Sequence, residues 1–332
     1  SDGWHDERSP SYHIQVFVDL CECYQVIRER ETELAAQIAD RLNKMAQVIA
    51  DTTHPDGGPS LFNDAGLHSS WSPQQALDLF EQLTNQRPIP QHQFSYPAAG
   101  YYGARTPSDL LLVDCGPIAP DHLPAHGHGD ILAMEWSIGG HRVFVDHGVY
   151  EYGAGEWRDR SRSTRSHNTV TVEDADQCEF YASFRVGRRA RILSAQYARQ
   201  PEGFRLEGSH DGFTNLSGSP IHQRKIGWQA DLLEVADQIT GGNGQAVRSR
   251  LLCHPDCAVQ VHRSGGASIS IGSVIVELRT DHQVHVQPFT WCPDFGVKIP
   301  TLQLVIEYGA APCTGQFELV VTQRTNAGGP DQ

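Results

Sequence analysis

What this sequence lacks narrows it first. No apolar run approaches the roughly 18–20 residues a helix needs to cross a bilayer, and the amino end shows no basic-then-apolar leader. The chain opens abruptly on SDGWHDERSPSYH. We expect it to be the carboxyl-terminal part of a longer protein, so the missing leader excludes little. Positive charge is also short: the formal net charge is −14, which argues against nucleic acid, a partner that favours a basic face. An anionic substrate stays open, because the local field in a cleft governs that. Paired CxxC knuckles are absent. The eight cysteines, Cys21, Cys23, Cys115, Cys178, Cys253, Cys257, Cys292 and Cys313, are too sparse for a disulfide scaffold, and most are expected to be buried small hydrophobes. There is no internal repeat and no low-complexity tract.

What is present fits a loop-rich globular protein: 39% hydrophobic residues with many Gly and Pro, in 332 residues, enough for two domains. The first ninety or so residues read as helix. Ser9 is a candidate N-cap with Pro10 at the favoured first position. Ile14, Phe17, Leu20, Cys21, Tyr24 and Ile27 then recur on one face. A second helix is expected from about Glu33 to Ala50, and a third opens at Ser72-Pro73 and runs over 74–83. Residues 87–93 read as a linker. From about Tyr96 the apolar period switches to two. Ten short strands are expected, at 109–116, 130–140, 141–148, 168–174, 189–197, 203–210, 232–239, 258–262, 273–279 and 316–323. Gly139-Gly140 reads as the primed turn of a hairpin. The expected fold class is therefore α+β: a short helical part, residues 1–95, followed by a large antiparallel β-sandwich, 96–332. Three helices do not easily close a layer alone. They either pack on the sandwich or end a larger helical domain, and the second is favoured.

Three groups of residues invite chemistry. His126 and His128 lie two apart in 123-LPAHGHGDIL-132, so on an extended segment both rings point one way. Asp146 ends the partner strand of the hairpin and His167 begins another; a His–Asp–His set from adjacent strands suits zinc. In a chain with 17 histidines, an isolated HxH is equally compatible with surface or core. Tyr12, beside His13, Glu7 and Arg8, can act as general acid or base if nearby cations tune it; a packing aromatic is the plainer reading. The stretch 150-YEYGAGEWRDRSRSTRSHN-168 joins Tyr150, Tyr152 and Trp157 to Arg158, Arg160, Arg162 and Arg165. Rings stack on sugar faces and arginines grip carboxylate or sulfate, although Glu151, Glu156 and Asp159 make a solvated loop an equal reading.

Together these stretches resemble the heparinase II/III-like polysaccharide lyases. The resemblance rests on 2-DGWHDERSPSYH-13, LPAHGHGD at 123–130, VDHGVYEYG at 145–153, RSTRSHNTV at 162–170, 209-SHDGF-213, His222, Arg224 and 253-CHP-255. It implies the end of an incomplete α/α toroid followed by a β-sandwich, with the active site between them. It also implies β-elimination on an acidic, uronate-containing glycan. By resemblance Tyr12 is the general acid and in some substrates the base, and His126 is the catalytic histidine, either as base or as carboxylate neutraliser. His13, Tyr152, Trp157, Arg158 and Arg162 would line the substrate cleft. His128, Asp146 and His167 would hold one structural zinc ion. The family's carboxylate-neutralising asparagine, often followed by histidine, has no match here, because its helix would lie upstream of Ser1; that upstream toroid segment is thus an expected partner. The resemblance further implies a periplasmic or secreted setting and leaves a homodimer open. Two rival readings remain: a zinc hydrolase and a non-catalytic glycan-binding module.

Overall fold

The computed structural model describes residues 2–263 and 265–324. Ser1, Ser264 and 325–332, which include both outer ends of the two expected units, lie outside the described residues. Three helices come first, Pro10–Ile27, Thr32–Thr52 and Pro73–Thr84. Their starts follow the sequence signals. The Ser9 hydroxyl accepts from the Tyr12 amide, with Pro10 in the first turn. Ser72 and Gln75 form a reciprocal capping box ahead of the third helix. Phe17, Leu42, Ile49 and Phe80 close a small core among the three helices.

Apart from a small hairpin pairing 180–181 with 185–186, the described strands form two layers. One layer is an eight-stranded antiparallel sheet, ordered 258–261, 267–271, 274–279, 313–323, 232–240, 221–229, 203–210 and 192–200. Facing it are a five-stranded meander (93–96, 101–105, 110–114, 134–138, 141–144) and a four-stranded sheet (283–291, 299–310, 246–252, 170–172). Trp136, Trp228, Phe204, Leu251, Leu304 and Leu319 belong to the apolar core between the layers. The meander is covered on its other side as well. Trp4, Val48 and Phe62 from the helical part pack with Tyr101, Leu110 and Leu112, so strand 110–114 is buried at all five positions. The antiparallel sandwich and the leading helices are as expected, and the helices pack on the sandwich rather than standing apart from it.

The hairpin about Gly139-Gly140 is present. Ile138 pairs with His141, and both glycines have positive φ, 59° and 86°, which a primed turn needs and an L side chain resists. The same pairing ends in a register shift after Trp136. Residues 130–133 leave the ladder, with Leu132 at φ 64°, and become an irregular segment beside the site. No helix among the described residues is long and apolar enough to cross a membrane.

Candidate active site

The site forms where three irregular segments meet at the end of the meander: 61–66 after the second helix, 123–132, and 146–168. Asn63 and Asp64, which carry no periodic sequence signal, join the first two. The Asn63 side-chain oxygen accepts from the His128 amide at 3.0 Å, and the Asn63 amide donates to Asp130 at 3.2 Å. The Asp64 amide donates to the His126 carbonyl at 3.2 Å.

The Asp64 carboxylate is the hub. One oxygen faces His128 Nε2 and the other faces His126 Nδ1, each at 2.8 Å. The Arg158 guanidinium donates to both, at 2.5 and 2.9 Å. Asp64 and Arg158 have no exposed side-chain surface. Burial opposes ionisation of Asp64, but the two imidazoles and Arg158 outweigh it and hold its carboxyl well below the usual range.

The two histidines therefore do different things. His126 is 19% exposed and its Nε2 lies 3.3 Å from a Glu7 carboxylate oxygen. Its ring centroid is 4.5 Å from that of Tyr12 and 5.9 Å from that of Tyr152. The Tyr12 and Tyr152 hydroxyls are 2.8 Å apart. Phe184 and Phe295, both exposed, pack edge-on against Tyr152 at the mouth. Burial raises the Tyr12 phenol above its ordinary value, and the Asp64 and Glu7 charges add to that. Burial raises Tyr152 further. Both hydroxyls are thus protonated at neutral pH.

His128 points inward. Its Nδ1, His167 Nε2 and Asp130 Oδ1 are buried and have no hydrogen-bond partner among the described residues. Ligand atoms of these three residues lie within 4.8 Å of one another. Each imidazole has its other nitrogen on a carboxylate: His128 on Asp64, and His167 on Asp146 at 2.7 Å. That is the usual orienting arrangement behind a metal-bound histidine. Burial pushes the Asp130 carboxyl up to about 6 and pushes Asp114 and Asp146 up as well. A buried acid in this state is either protonated or neutralised by a nearby cation. The donor set of two imidazoles and a carboxylate fits zinc. The carboxylate within the group is Asp130 rather than Asp146, because Asp146 spends one oxygen on His167 Nδ1 and the other on the Gly148 amide.

Other expected site residues sit elsewhere. His13 is buried in the helical layer, with its ring nitrogens on the His5 amide and the Met45 carbonyl, and it stays outside the Tyr12 pocket. Burial pushes it down to about 4. The arginine-rich stretch contains a short helix, Glu156–Arg162. Arg158 is committed to Asp64, and Arg162 donates to carbonyls of Gly127, Ala182, Ser183 and Arg185. Both are buried, so half of the basic cluster is internal wiring, while Arg160 is half-buried and Arg165 exposed. Trp157 faces Tyr150, with Lys298 Nζ 4.3 Å over its ring. A separate concavity of about 930 Å³ on the outer face of the eight-stranded sheet contains none of these groups.

Comparison with known proteins agrees with this architecture. The sequence model of the family described as Heparinase II/III-like, C-terminal, matches residues 88–327. A heparin-sulfate lyase of Bacteroides thetaiotaomicron is 27% identical over 217 residues, 52% of this chain and 30% of that protein. The heparan sulfate lyase HepC from Pedobacter heparinus superposes with a TM-score of 0.79 at 15% identity, over 98% of this chain and 54% of that one. A chondroitinase AC lyase superposes at 0.57 with 9% identity, over 98% of this chain and 55% of that one. At those identities the superpositions speak to the fold alone. The chain spans about half the length of the solved structures and less than a third of the curated relative.

Proposed function

Because the chain belongs to the heparinase II/III-like family through that family's C-terminal domain, we propose that it forms the sandwich side of a polysaccharide lyase. It would act on an acidic, uronate-containing glycan. The observation that carries the proposal is the cluster at the mouth of the site: two phenols 2.8 Å apart, packed on an imidazole held by a buried carboxylate.

In β-elimination a base removes the proton at C5 of the uronate. The electron pair left behind forms the C4–C5 double bond, the C4–O bond breaks, and the departing oxygen takes a proton. Tyr12 suits the last role, since burial and the surrounding acids keep its proton in place until a stronger base appears. His126 supplies the base through Nε2, the ring nitrogen turned toward Glu7 and the opening. Asp64 fixes the orientation of that ring by accepting from Nδ1. Tyr152, Phe184 and Phe295 would line the sugar subsite, with Trp157 and Lys298 beyond them. The group that neutralises the substrate carboxylate would come from a toroid segment preceding this chain.

His128, His167 and Asp130 would hold the zinc ion, with Asp146 orienting His167. An ion held there would supply positive charge among the buried acids, and its three ligands would tie segments 123–132 and 146–168 together. All three donors are fully buried, which supports a structural ion over one that activates water for hydrolysis.

The test is absorbance. A lyase leaves an ultraviolet-absorbing unsaturated uronate on a panel of anionic polysaccharides, whereas a hydrolase leaves hydrated ends and a binding module leaves no product. Tyr12→Phe is expected to lower turnover by roughly 10²–10⁴-fold, the usual weight of a general acid. An unchanged rate removes Tyr12 from the mechanism.

A further inference from the structure

Arg224 and its neighbours take no part in the chemistry above, yet they form a dense buried polar cluster. All five Arg224 donors are used. Nε and Nη2 grip the Asp237 carboxylate at 2.7 and 3.0 Å. Nη2 also reaches the Ser249 hydroxyl at 3.0 Å. Nη1 donates to the Leu132 and Asn168 carbonyls, both at 2.9 Å. Asp237 is equally saturated, accepting in addition from His222 Nε2 at 2.8 Å and the Tyr308 hydroxyl at 2.9 Å. A second histidine backs the first. The Gly212 amide donates to His210 Nδ1, so His210 Nε2 carries the proton that faces His222 Nδ1 at 3.1 Å. His222 Nε2 in turn donates to Asp237.

Position makes this cluster more than a core feature. Arg224, Asp237, His222 and His210 stand on strands 203–210, 221–229 and 232–240 of the eight-stranded sheet, while Ser249 and Tyr308 come from the facing sheet. The two carbonyls that Nη1 holds belong to irregular backbone in the opposite layer. Leu132 lies two residues after Asp130, in the left-handed region at φ 64°, which a leucine occupies only when its surroundings enforce it. Asn168 directly follows His167. One guanidinium thus joins the backbone carrying the carboxylate ligand to the backbone carrying an imidazole ligand.

We propose that Arg224 is a positioning residue for the metal centre, setting the separation of Asp130 and His167 from the far sheet while Asp237 and the two histidines lock its plane. This rests on the zinc reading given above. Lysine cannot replace it: a single ammonium lacks the fork that spans a carboxylate on one side and two carbonyls on the other.

The experiment uses the full chain stripped with a chelator, then titrated with zinc against a chromophoric competitor, and with cobalt(II) to read the ligand field. Wild type should bind one zinc ion. Arg224→Lys should bind it roughly 10–100-fold more weakly, the usual cost of losing an outer-sphere support, with an altered cobalt spectrum. Tyr308→Phe also removes a hydrogen bond to Asp237 but leaves Nη1 and both carbonyls in place, so it should lower thermal stability without weakening zinc. Equal zinc affinity in Arg224→Lys, or equal weakening in Tyr308→Phe, overturns the positioning role. A wild-type chain that takes up no zinc instead overturns the metal reading, and this role with it. A second measurement needs no variant. Zinc loading should slow amide exchange in strands 221–229 and 232–240, which hold no ligand, and unchanged exchange there counts against the proposal.

Discussion

Replacing Asp64 with asparagine tests the hub of the site most directly. The carboxylate accepts four hydrogen bonds, and it and Arg158 are both wholly buried. Asparagine keeps the shape but loses the charge, and turns an NH2 group toward at least one donor. Removing one member of a buried ion pair costs about 3–5 kcal/mol, because the other charge is stranded. Unfolding entropy of about 2.1 cal/mol/K per residue over 332 residues amounts to about 0.7 kcal/mol/K, so Tm should fall by roughly 4–7 °C. Calorimetry at pH 7 reads this. Arg158→Met in a double-mutant cycle supplies the control: once Asp64 is neutral, losing Arg158 should cost far less than it does in wild type. The pH dependence has a definite sign. Asp64 titrates below its unfolded value of about 3.9, so its contribution is complete above that pH and is lost as pH falls further. The gap between wild type and Asp64→Asn should be flat from pH 5 to 8 and close in acid. A Tm loss under roughly 2 °C at pH 7, or simple additivity in the cycle, would refute the hub.

Two further outcomes follow from other parts of the fold. His13 titrates near 4 when folded and near 6.5 when unfolded. Between those values the unfolded chain binds more protons, so stability rises with pH, and is lost on acidification, by up to about 1.4 kcal/mol per unit for this group. His13→Gln should flatten the acid limb of a urea-denaturation series by that slope, and an unchanged slope argues against a neutral buried imidazole. Gly148 has φ 71°, and a Cβ there would sit 2.1 Å from the Cys292 carbonyl oxygen. Gly148→Ala should therefore cost about 1–3 kcal/mol by thermal melting, more than Gly57→Ala, where the backbone angle is similar but nothing lies within 4 Å.

The helices were legible because their starts are chemically loud: Ser9-Pro10 and Ser72-Pro73 each combine a capping hydroxyl with a preset φ. The Gly139-Gly140 hairpin was legible for the same local reason. Strand 221–229 was not, although it alternates cleanly in space. Its inward residues are His222, Arg224, Ile226 and Trp228, and two polar side chains on the core face erase the hydrophobic period. Strand 101–105 was hidden by double burial, which leaves little alternation to read. At the site, HGH was visible as a spacing. Asp64 was invisible, because its partners lie 62 and 94 residues away in the chain and no local pattern marks a carboxylate destined for burial. Arg158 and Arg162 misled for the complementary reason: a run of arginines reads as an outward surface unless the acceptors that draw it inside are known.

The sandwich and the leading helices look separable in sequence, but they share one chemical unit. Glu135, deep in the meander, accepts from the Leu61 amide and faces His54, and it also accepts from the Asp146 amide. Asp64 lies three residues beyond Leu61, so the segment between the second and third helices is clamped into the sheet and carries the carboxylate that both imidazoles face. A sandwich excised from residue 96 onward would retain His126, His128 and Arg158 without the carboxylate that orients both rings and pairs with the guanidinium. For anyone grafting this fold onto another protein, the transplantable piece begins at the amino side of the helices, and lineages that shuffle such domains would have to carry both parts together.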